Sequence, residues 1–469
     1  MNSKALKFIK NFSYTLKSNL IALIVSSLVI LIIPRLIGVK EYGYWQLYLF
    51  YSSYVGFLHF GWNDGIYLRY GGKEYNELDK RLFFSQFYML VILQLILGGI
   101  ILIITPAIFI AADRIFIFQM LTLCLFITNV RFMLLFVLQG TNRIKEYARI
   151  TVIDKMVYCF LIIIFLVSGV RDYRLMISAD LIGRFISLTY AMFCCREIVF
   201  RGIKTFYFSF GEAIENINVG IKLMFANISS MLIIGVVRFG IERSWDVSTF
   251  GKISLTLSVT NLMMLFIGAV GTVMFPILRR TNEKRLASIY VTMRDFLMIV
   301  LLGALIIYYP LRAILASWLP NYADGLMYMA IIFPICIFEG KMSLLINTYL
   351  KALRKEKMML KINVLTLLLS CIITFITTII FKNLNFSIVS IVLLLGIRCV
   401  WAEFFLSKQL GISVNKDILL ELIMILIFIL TGWFSNWWFY YVLVYLCYLI
   451  IKRKDIICAL HNVKLLMKA

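Results

Sequence analysis

An all-α, polytopic integral membrane protein with about fourteen transmembrane helices is the fold class that this sequence predicts, and three observations predict it. The chain is 62% hydrophobic with a mean hydropathy of +0.93, far above the range of a soluble domain. Its apolar runs are long: a spanning helix needs roughly 20 apolar residues, and runs of that length exclude barrel strands. Its cations also alternate. Thirty of the 47 Lys and Arg residues fall in every second gap between apolar runs, and seven fall in the gaps between those. Cationic loops stay in the cytoplasm, so this asymmetry sets the orientation.

The candidate spans are 18–38, 42–70, 83–110, 115–138, 150–170, 174–195, 217–241, 248–277, 290–310, 322–348, 358–381, 386–407, 417–433 and 436–451. An even number places both termini in the cytoplasm, which suits a cell (inner) membrane protein. The pair at 417–451 has a very short outer turn between Gly432 and Trp438, so one re-entrant pair fits it as well as two full spans. The basic start, Lys4 to Lys10, precedes a long apolar run without a small-residue cleavage site and reads as the flank of the first span. The formal charge of +23 is mostly positive-inside charge beside anionic headgroups, so no nucleic-acid partner is expected. Nine cysteines without ligand spacing and two histidines, His59 and His461, imply no metal centre and no cofactor.

The organisation expected is an N-lobe of six helices (1–195), a basic and aromatic interfacial linker (196–217), a C-lobe of six helices (218–408) and two further helices with a basic tail (409–469). The lobes look duplicated. A shift of 208 residues aligns Asn19 with Asn227, Val29 with Val237, Ile33 with Ile241, Arg35 with Arg243, Val39 with Val247 and Gly43 with Gly251. An even number of spans per copy makes such lobes pseudo-symmetric about a membrane-normal axis, and transporters of this design bind substrate where the repeats meet.

Ten cations lie within the apolar runs: Arg131, Lys155, Arg184, Lys222, Arg238, Lys252, Arg294, Arg312, Lys341 and Arg398. A charge at the centre of a span costs at least about 2.5–3.5 kcal/mol and marks a partner or a cavity. Lys155, Lys222 and Arg294 are expected to snorkel to one interface and Lys252, Arg238 and Arg312 to the other. Arg184, Lys341, Arg398 and Arg131 lie too deep for that. Asp180 stands four residues before Arg184, the spacing of an intrahelical ion pair; Glu339 and Lys341 face different ways; Arg398 has no well-spaced acid. In-span acids are fewer than in-span cations, which implies that an anionic ligand neutralises the remainder, and arginine's planar fork suits a phosphate. The second span ends GWNDGIYLRYGG, where Gly61 and Gly65 permit close helix approach or local unwinding and flank Asp64, with Arg69 beyond. The substrate-binding candidates are Arg184, Lys341, Arg398, Arg131, Asp64 and Arg69; Asp64 and Glu339 are candidates for ion coupling.

The segments IIPRLIGVKEYGYWQLY (32–48), the Gly-Trp-Asn-Asp-Gly end of the second span, NVGIKLMFANIS (218–229) and FPILR (275–279) resemble the Wzx-type polysaccharide flippases of the multidrug/oligosaccharidyl-lipid/polysaccharide exporter superfamily. The resemblance implies a transporter rather than an enzyme, with two six-helix lobes about a cationic cavity. It implies an undecaprenyl-diphosphate-linked oligosaccharide moved to the outer leaflet by alternating access, for O-antigen or exopolysaccharide. Partners would be that lipid, membrane lipids and the polymerase and chain-length machinery of the pathway. A flippase for the peptidoglycan lipid precursor and a multidrug antiporter of the same fold are the alternatives. A membrane polysaccharide polymerase fits less well, because no outer gap can hold an active-site loop. The topology predicts that Lys355→Cys is protected from an impermeant thiol reagent added outside and that Asp113→Cys is labelled; the reverse pattern would refute the orientation.

Overall fold

The computed structural model describes residues 20–21, 23–279, 286–434, 438–453, 455 and 457, with the backbone alone over 265–279 and at 438. The basic termini and the loop 280–285, on which part of the orientation argument rests, lie outside the described residues. No strand occurs among the described residues; the chain is helix and turn throughout. It divides into two compact units, Met1–Ile228 and Ser229–Ala469.

The first unit contains α1 (Leu23–Leu36), α2 (Val39–Val55), α3 (Trp62–Tyr70), α4 (Lys80–Ile108), α5 (Ala112–Gly140), α6 (Ile144–Val167), α7 (Tyr173–Cys194) and the short α8 (Arg196–Val199). Side chains start the helices where the loops turn. Asp79 accepts from the Arg81 and Leu82 amides at 2.9 and 3.1 Å ahead of α4, and Asp172 accepts from the Arg174 amide at 2.8 Å ahead of α7. The hydrophobic stretch of α5 is 78% buried against 28% for α4 and α6, so α5 is the axis of this unit and its neighbours face outward.

The second span, expected at 42–70, is unwound in the region of Gly61. It is broken between α2 and α3, where Phe60 and Gly61 take φ of 53° and 86°. The freed backbone is satisfied by amide side chains: Asn129 donates to Val55 O at 3.0 Å and Gln94 to Leu58 O at 3.1 Å. Without such donors each exposed carbonyl in lipid costs several kcal/mol. The break lets α3 meet α9 (Phe210–Ser244) backbone to backbone. A Cβ on Gly65 would sit 1.8 Å from Asn216 O, and one on Gly220 would sit 2.0 Å from Gly61 O.

α9 carries the chain into the second unit, followed by α10 (Val247–Arg279), α11 (Leu286–Ala304), α12 (Tyr308–Trp318) and α13 (Ala323–Met327). The span Met329–Ala352 comes next and is composite: α14 (Met329–Ile332), α15 (Ile335–Lys341), a π turn (Met342–Ile346) and α16 (Asn347–Ala352). Then come α17 (Glu356–Phe375), α18 (Leu384–Leu410), α19 (Asn415–Phe434) and α20 (Trp438–Ile451). Proline marks two of the breaks: Pro310 follows the 3₁₀ turn Leu305–Ile307, and Pro334 separates α14 from α15. The composite span is 89% buried and forms the axis of this unit.

Ten helices among the described residues are long and apolar enough to cross a membrane, with Leu23–Leu36 and Phe439–Ile451 as shorter apolar helices, so the chain is a multi-pass membrane protein. The α1–α2 turn falls between Leu36 and Val39 and the α9–α10 turn between Ser244 and Val247, the same 208-residue offset that the sequence identities show. The crossing of α3 and α9 gives a direct test. Gly65→Ala should destabilise by ~3 kcal/mol or more, because its new methyl meets backbone rather than a movable side chain. Gly99→Ala, with open space around it, should be neutral. Thermal size-exclusion profiles of the two variants decide it: equal profiles would refute the close crossing.

Candidate functional site

The deep charges of the first unit sit on the inner faces of α5, α6 and α7. Arg131, only 6% exposed, reaches Asp154 of α6 at 2.8 Å and Ser187 of α7 at 3.1 Å. Arg184 pairs with Asp180 at 2.8 Å, four residues earlier as its spacing predicted, and donates to Thr128 of α5 at 3.1 Å. Tyr48 of α2 donates to the same Asp180 carboxylate at 2.8 Å. One belt of charge and hydroxyl thus joins α2, α5, α6 and α7. Asp64 lies in the broken span, 3.6 Å from His59 Nε2, while His59 Nδ1 accepts from the Gly61 amide at 3.0 Å. Arg69, at the end of α3, meets Glu212 at 2.7 Å, Glu215 at 2.8 Å and Asn216 at 2.6 Å on the first turns of α9.

The second unit holds two clusters. In the first, Arg398 of α18, 2% exposed, finds an acid on another element: Glu339 of α15 at 2.7 Å, with Asn363 of α17 at 3.0 Å and Ser230 of α9 at 2.8 Å. In the second, Lys341 lies between Glu403 of α18 and Glu421 of α19, the latter at 2.6 Å. Arg294 of α11 binds the same two carboxylates at 2.7 and 2.6 Å. The chain of charge continues through Asp417, 3.6 Å from Arg294, to Lys452 at the end of α20, which also meets Asp295 at 3.4 Å.

These contacts revise three expectations. Arg294 does not snorkel: it is 1% exposed and fully ringed by acids. Lys452 is not a free tail lysine but a 7% exposed member of the cluster. The surplus of uncompensated deep cations does not arise, because Arg131, Arg184, Lys341 and Arg398 each meet a carboxylate. The separation of Glu339 from Lys341 holds, each having its own partner. The candidates divide by unit, with Asp64, Arg69, Arg131 and Arg184 in the first and Glu339, Lys341 and Arg398 in the second. The acid cluster on α19 was missed as a site, although Asp417 and Glu421 share one face at i, i+4 and two acids on an otherwise apolar helix demand a cationic partner.

α19 and α20 are part of the second unit and not an appendage. Tyr441 donates to Leu302 O at 2.9 Å and Tyr445 to Ile299 O at 2.9 Å, both on α11. Tyr308 and Arg312 donate to Gly432 O at 3.2 and 3.0 Å. Between α18, α19 and α14–α15 runs an apolar groove of about 690 Å³, lined by residues including Phe338, Leu393, Trp401, Phe404, Leu422 and Ile425. Its Phe338 and Phe404 are sequence neighbours of Glu339 and Glu403, so an oily channel abuts the charged clusters.

No protein-family model matches this sequence, and no curated protein matches it. Solved structures do match in fold. The lipid II flippase MurJ, in an inward closed conformation, aligns with a TM-score of 0.66 at 15% identity, covering 95% of this chain and 99% of that one. The chain has the fold of MOP-superfamily transporters. An inward-facing multidrug resistance MATE family transporter of that superfamily aligns with a TM-score of 0.62 at 12% identity, covering 83% of this chain and 98% of that one. A MOP-superfamily transporter from Pyrococcus furiosus aligns at 0.51 and 12% identity, covering 86% and 96%. No metal-holding group of His, Cys, Asp and Glu occurs among the described residues.

The charge clusters carry a prediction. Glu421→Ala strips a carboxylate from Lys341 and Arg294 together and should cost about 3–5 kcal/mol, read as lost membrane accumulation or a lowered Tm. Arg398→Gln should be destabilising alone and partly repaired by adding Glu339→Gln, since the pair then leaves no lone buried charge. If the double variant is worse than the single by the full cost of Glu339→Gln, the two residues are not coupled.

Proposed function

We propose that this protein is a flippase: it moves a lipid-diphosphate-linked oligosaccharide across the cell (inner) membrane by alternating access, with both termini cytoplasmic and without covalent chemistry. The observation that carries the reading is the 690 Å³ groove together with the helices that wall it. An apolar groove walled by spanning helices suits a polyprenyl tail better than a soluble drug. The coverage of the neighbours supports the same reading. The MATE transporter is used almost whole yet spans 83% of this chain, while the lipid II flippase, used equally fully, spans 95%. The additional length is on the scale of α19, α20 and their connections, and α19 forms one wall of the groove.

The deep cations take a changed role in this reading. Each is held by an acid in the described state, so an arriving diphosphate competes with Glu339 for Arg398 and with Glu403 and Glu421 for Lys341. Exchange of one anionic partner for another costs far less than uncovering a bare charge, and it links substrate arrival to helix rearrangement. Arg131, Arg184, Arg69 and Asp64 are the corresponding substrate candidates of the first unit, and Asp64 and Glu339 the candidates for an ion that drives the step.

Two readings of the cargo remain in the class. The sequence resemblance favours an oligosaccharide for a surface polymer such as O-antigen or exopolysaccharide; the fold match favours lipid II. A deletion strain without a paralogue separates them. Loss of surface polymer with lipid-linked oligosaccharide held in the inner leaflet supports the first, and loss of viability rescued by a known lipid II flippase supports the second. Normal growth and normal polymer would refute both. Within the groove, Leu393→Trp fills the channel from its 49% exposed position without touching the core. It should slow translocation of a long polyprenyl substrate by roughly tenfold, the equivalent of 1.4 kcal/mol, and leave a short-chain analogue unaffected.

A further inference from the structure

A second cavity lies in the first unit, at the end of the helices that carries the Lys- and Arg-rich loops. Its volume is about 660 Å³ and its lining is polar and aromatic: Glu74, Tyr75 and Asn76 from the loop before α4, Arg143, Glu146 and Arg149 at the start of α6, and Tyr190, Phe193, Arg196 and Glu197 around the end of α7. The basin is built on fixed backbone. Gly72 N–H donates to Gly140 O at 2.9 Å, which ties the 71–77 loop to α5, and Asn142 at φ 60° turns the chain sharply into α6.

The charges in this basin are not balanced in their commitments. Its acids are occupied. Glu146 accepts from Arg143 at 3.2 Å, Glu197 faces Lys80 at 4.0 Å, and Glu74 is locked in a reciprocal capping box with Glu77. Arg143 is spent as well: it also donates to Cys194 O at 3.1 Å and lies 4.6 Å from the Tyr75 ring centre, a ring that Lys80 also contacts. Arg149 and Arg196 are exposed and have no carboxylate partner among the described residues. Two open guanidiniums face a cavity whose own acids are taken, beside the positive end of the α6 dipole, which is a donor set for an anion.

The outer face of α7 says which kind of anion. Ile182, Phe185, Ile186 and Phe193 are exposed at 42, 58, 41 and 63%, in a stripe at i, i+3, i+4 and i+11 that ends at the basin. Phe193, the last residue of the stripe, lines the same cavity as Arg149 and Arg196, so a molecule with its phosphate on the two arginines can lay its chains along the stripe. The geometry points to a headgroup site for an anionic phospholipid, with the phosphodiester on Arg149 and Arg196, the glycerol end against Tyr190, and the acyl chains on Phe193, Ile186, Phe185 and Ile182. The site belongs to one unit and binds a resident lipid, so it stands or falls separately from the transported cargo.

The test uses the purified full chain in detergent, stripped of lipid and then offered dioleoyl phosphatidylglycerol, dioleoyl phosphatidylcholine or inorganic phosphate, with bound species read by native mass spectrometry. Phosphatidylglycerol should be retained about fivefold or more over phosphatidylcholine, as expected of two guanidinium–phosphate contacts partly open to water. Arg149→Gln and Arg196→Gln should each weaken retention about threefold and the double variant about tenfold, while the control Lys145→Gln, which removes a charge outside the basin, should not. Unchanged thermal unfolding of the single variants shows that binding and not folding was lost. Wild-type retention by the double variant, or equal retention of the two lipids, overturns the site. Displacement of the lipid by equimolar inorganic phosphate overturns the lipid assignment in favour of a free anion.

Discussion

Glu403 and Glu421 are each shared by Lys341 and Arg294, all four side chains nearly sealed from solvent on four different spans. In hydrocarbon none of these charges is tolerable alone, and the penalty for stranding one is several kcal/mol. The four therefore fix α11, the composite span, α18 and α19 against each other more tightly than apolar contact does, because lipid tails compete equally well for an apolar face. Asp417, Asp295 and Lys452 extend the constraint to α20. The arrangement of the second unit follows from this single requirement.

The first unit meets the same requirement with backbone as well as charge. Breaking the second span between α2 and α3 frees carbonyls, and Asn129 and Gln94 supply the donors that water would supply elsewhere. The break brings Gly61 and Gly65 against Gly220 at a distance that admits no side chain. Arg69 then binds the first turns of α9 through Glu212, Glu215 and Asn216. A polar discontinuity that would be a defect in a simple span becomes the point where α3 and α9 are registered.

A transporter needs elements that have two stable arrangements, and shared ion pairs provide them where apolar packing does not. Each of Arg131, Arg184, Lys341 and Arg398 is held by at least one acid. The apolar groove is lined by Phe338 and Phe404, one residue along α15 and α18 from Glu339 and Glu403, so apolar and charged surface lie on the same two elements. The fold is shared with MOP-superfamily transporters, at 12 to 15% sequence identity.

Much of the fold was legible because it depends on local quantities. Run length and hydropathy placed the helices, and the 208-residue offset reappears in the α1–α2 and α9–α10 turns. The i, i+4 spacing was enough to pair Asp180 with Arg184, and the Gly61/Gly65 spacing was enough to foretell a close approach. The glycines allowed local unwinding near Gly61, but that the helix already ends at Val55 was not legible, since the donors that allow the break lie on α4 and α5. Nor were the glutamate partners of Arg398, Lys341 and Arg294, which come from elements 59 to 127 residues away in the chain. Counting acids against cations failed for that reason: one carboxylate with two oxygens serves two cations, and Lys452, assigned to a tail, folds back into the cluster. The sequence by itself determined that the chain must be helical and must cross a membrane, because a backbone in lipid has no other way to satisfy its own polar groups. Only the tertiary structure decided which charges meet, because that depends on which faces of distant helices are brought together.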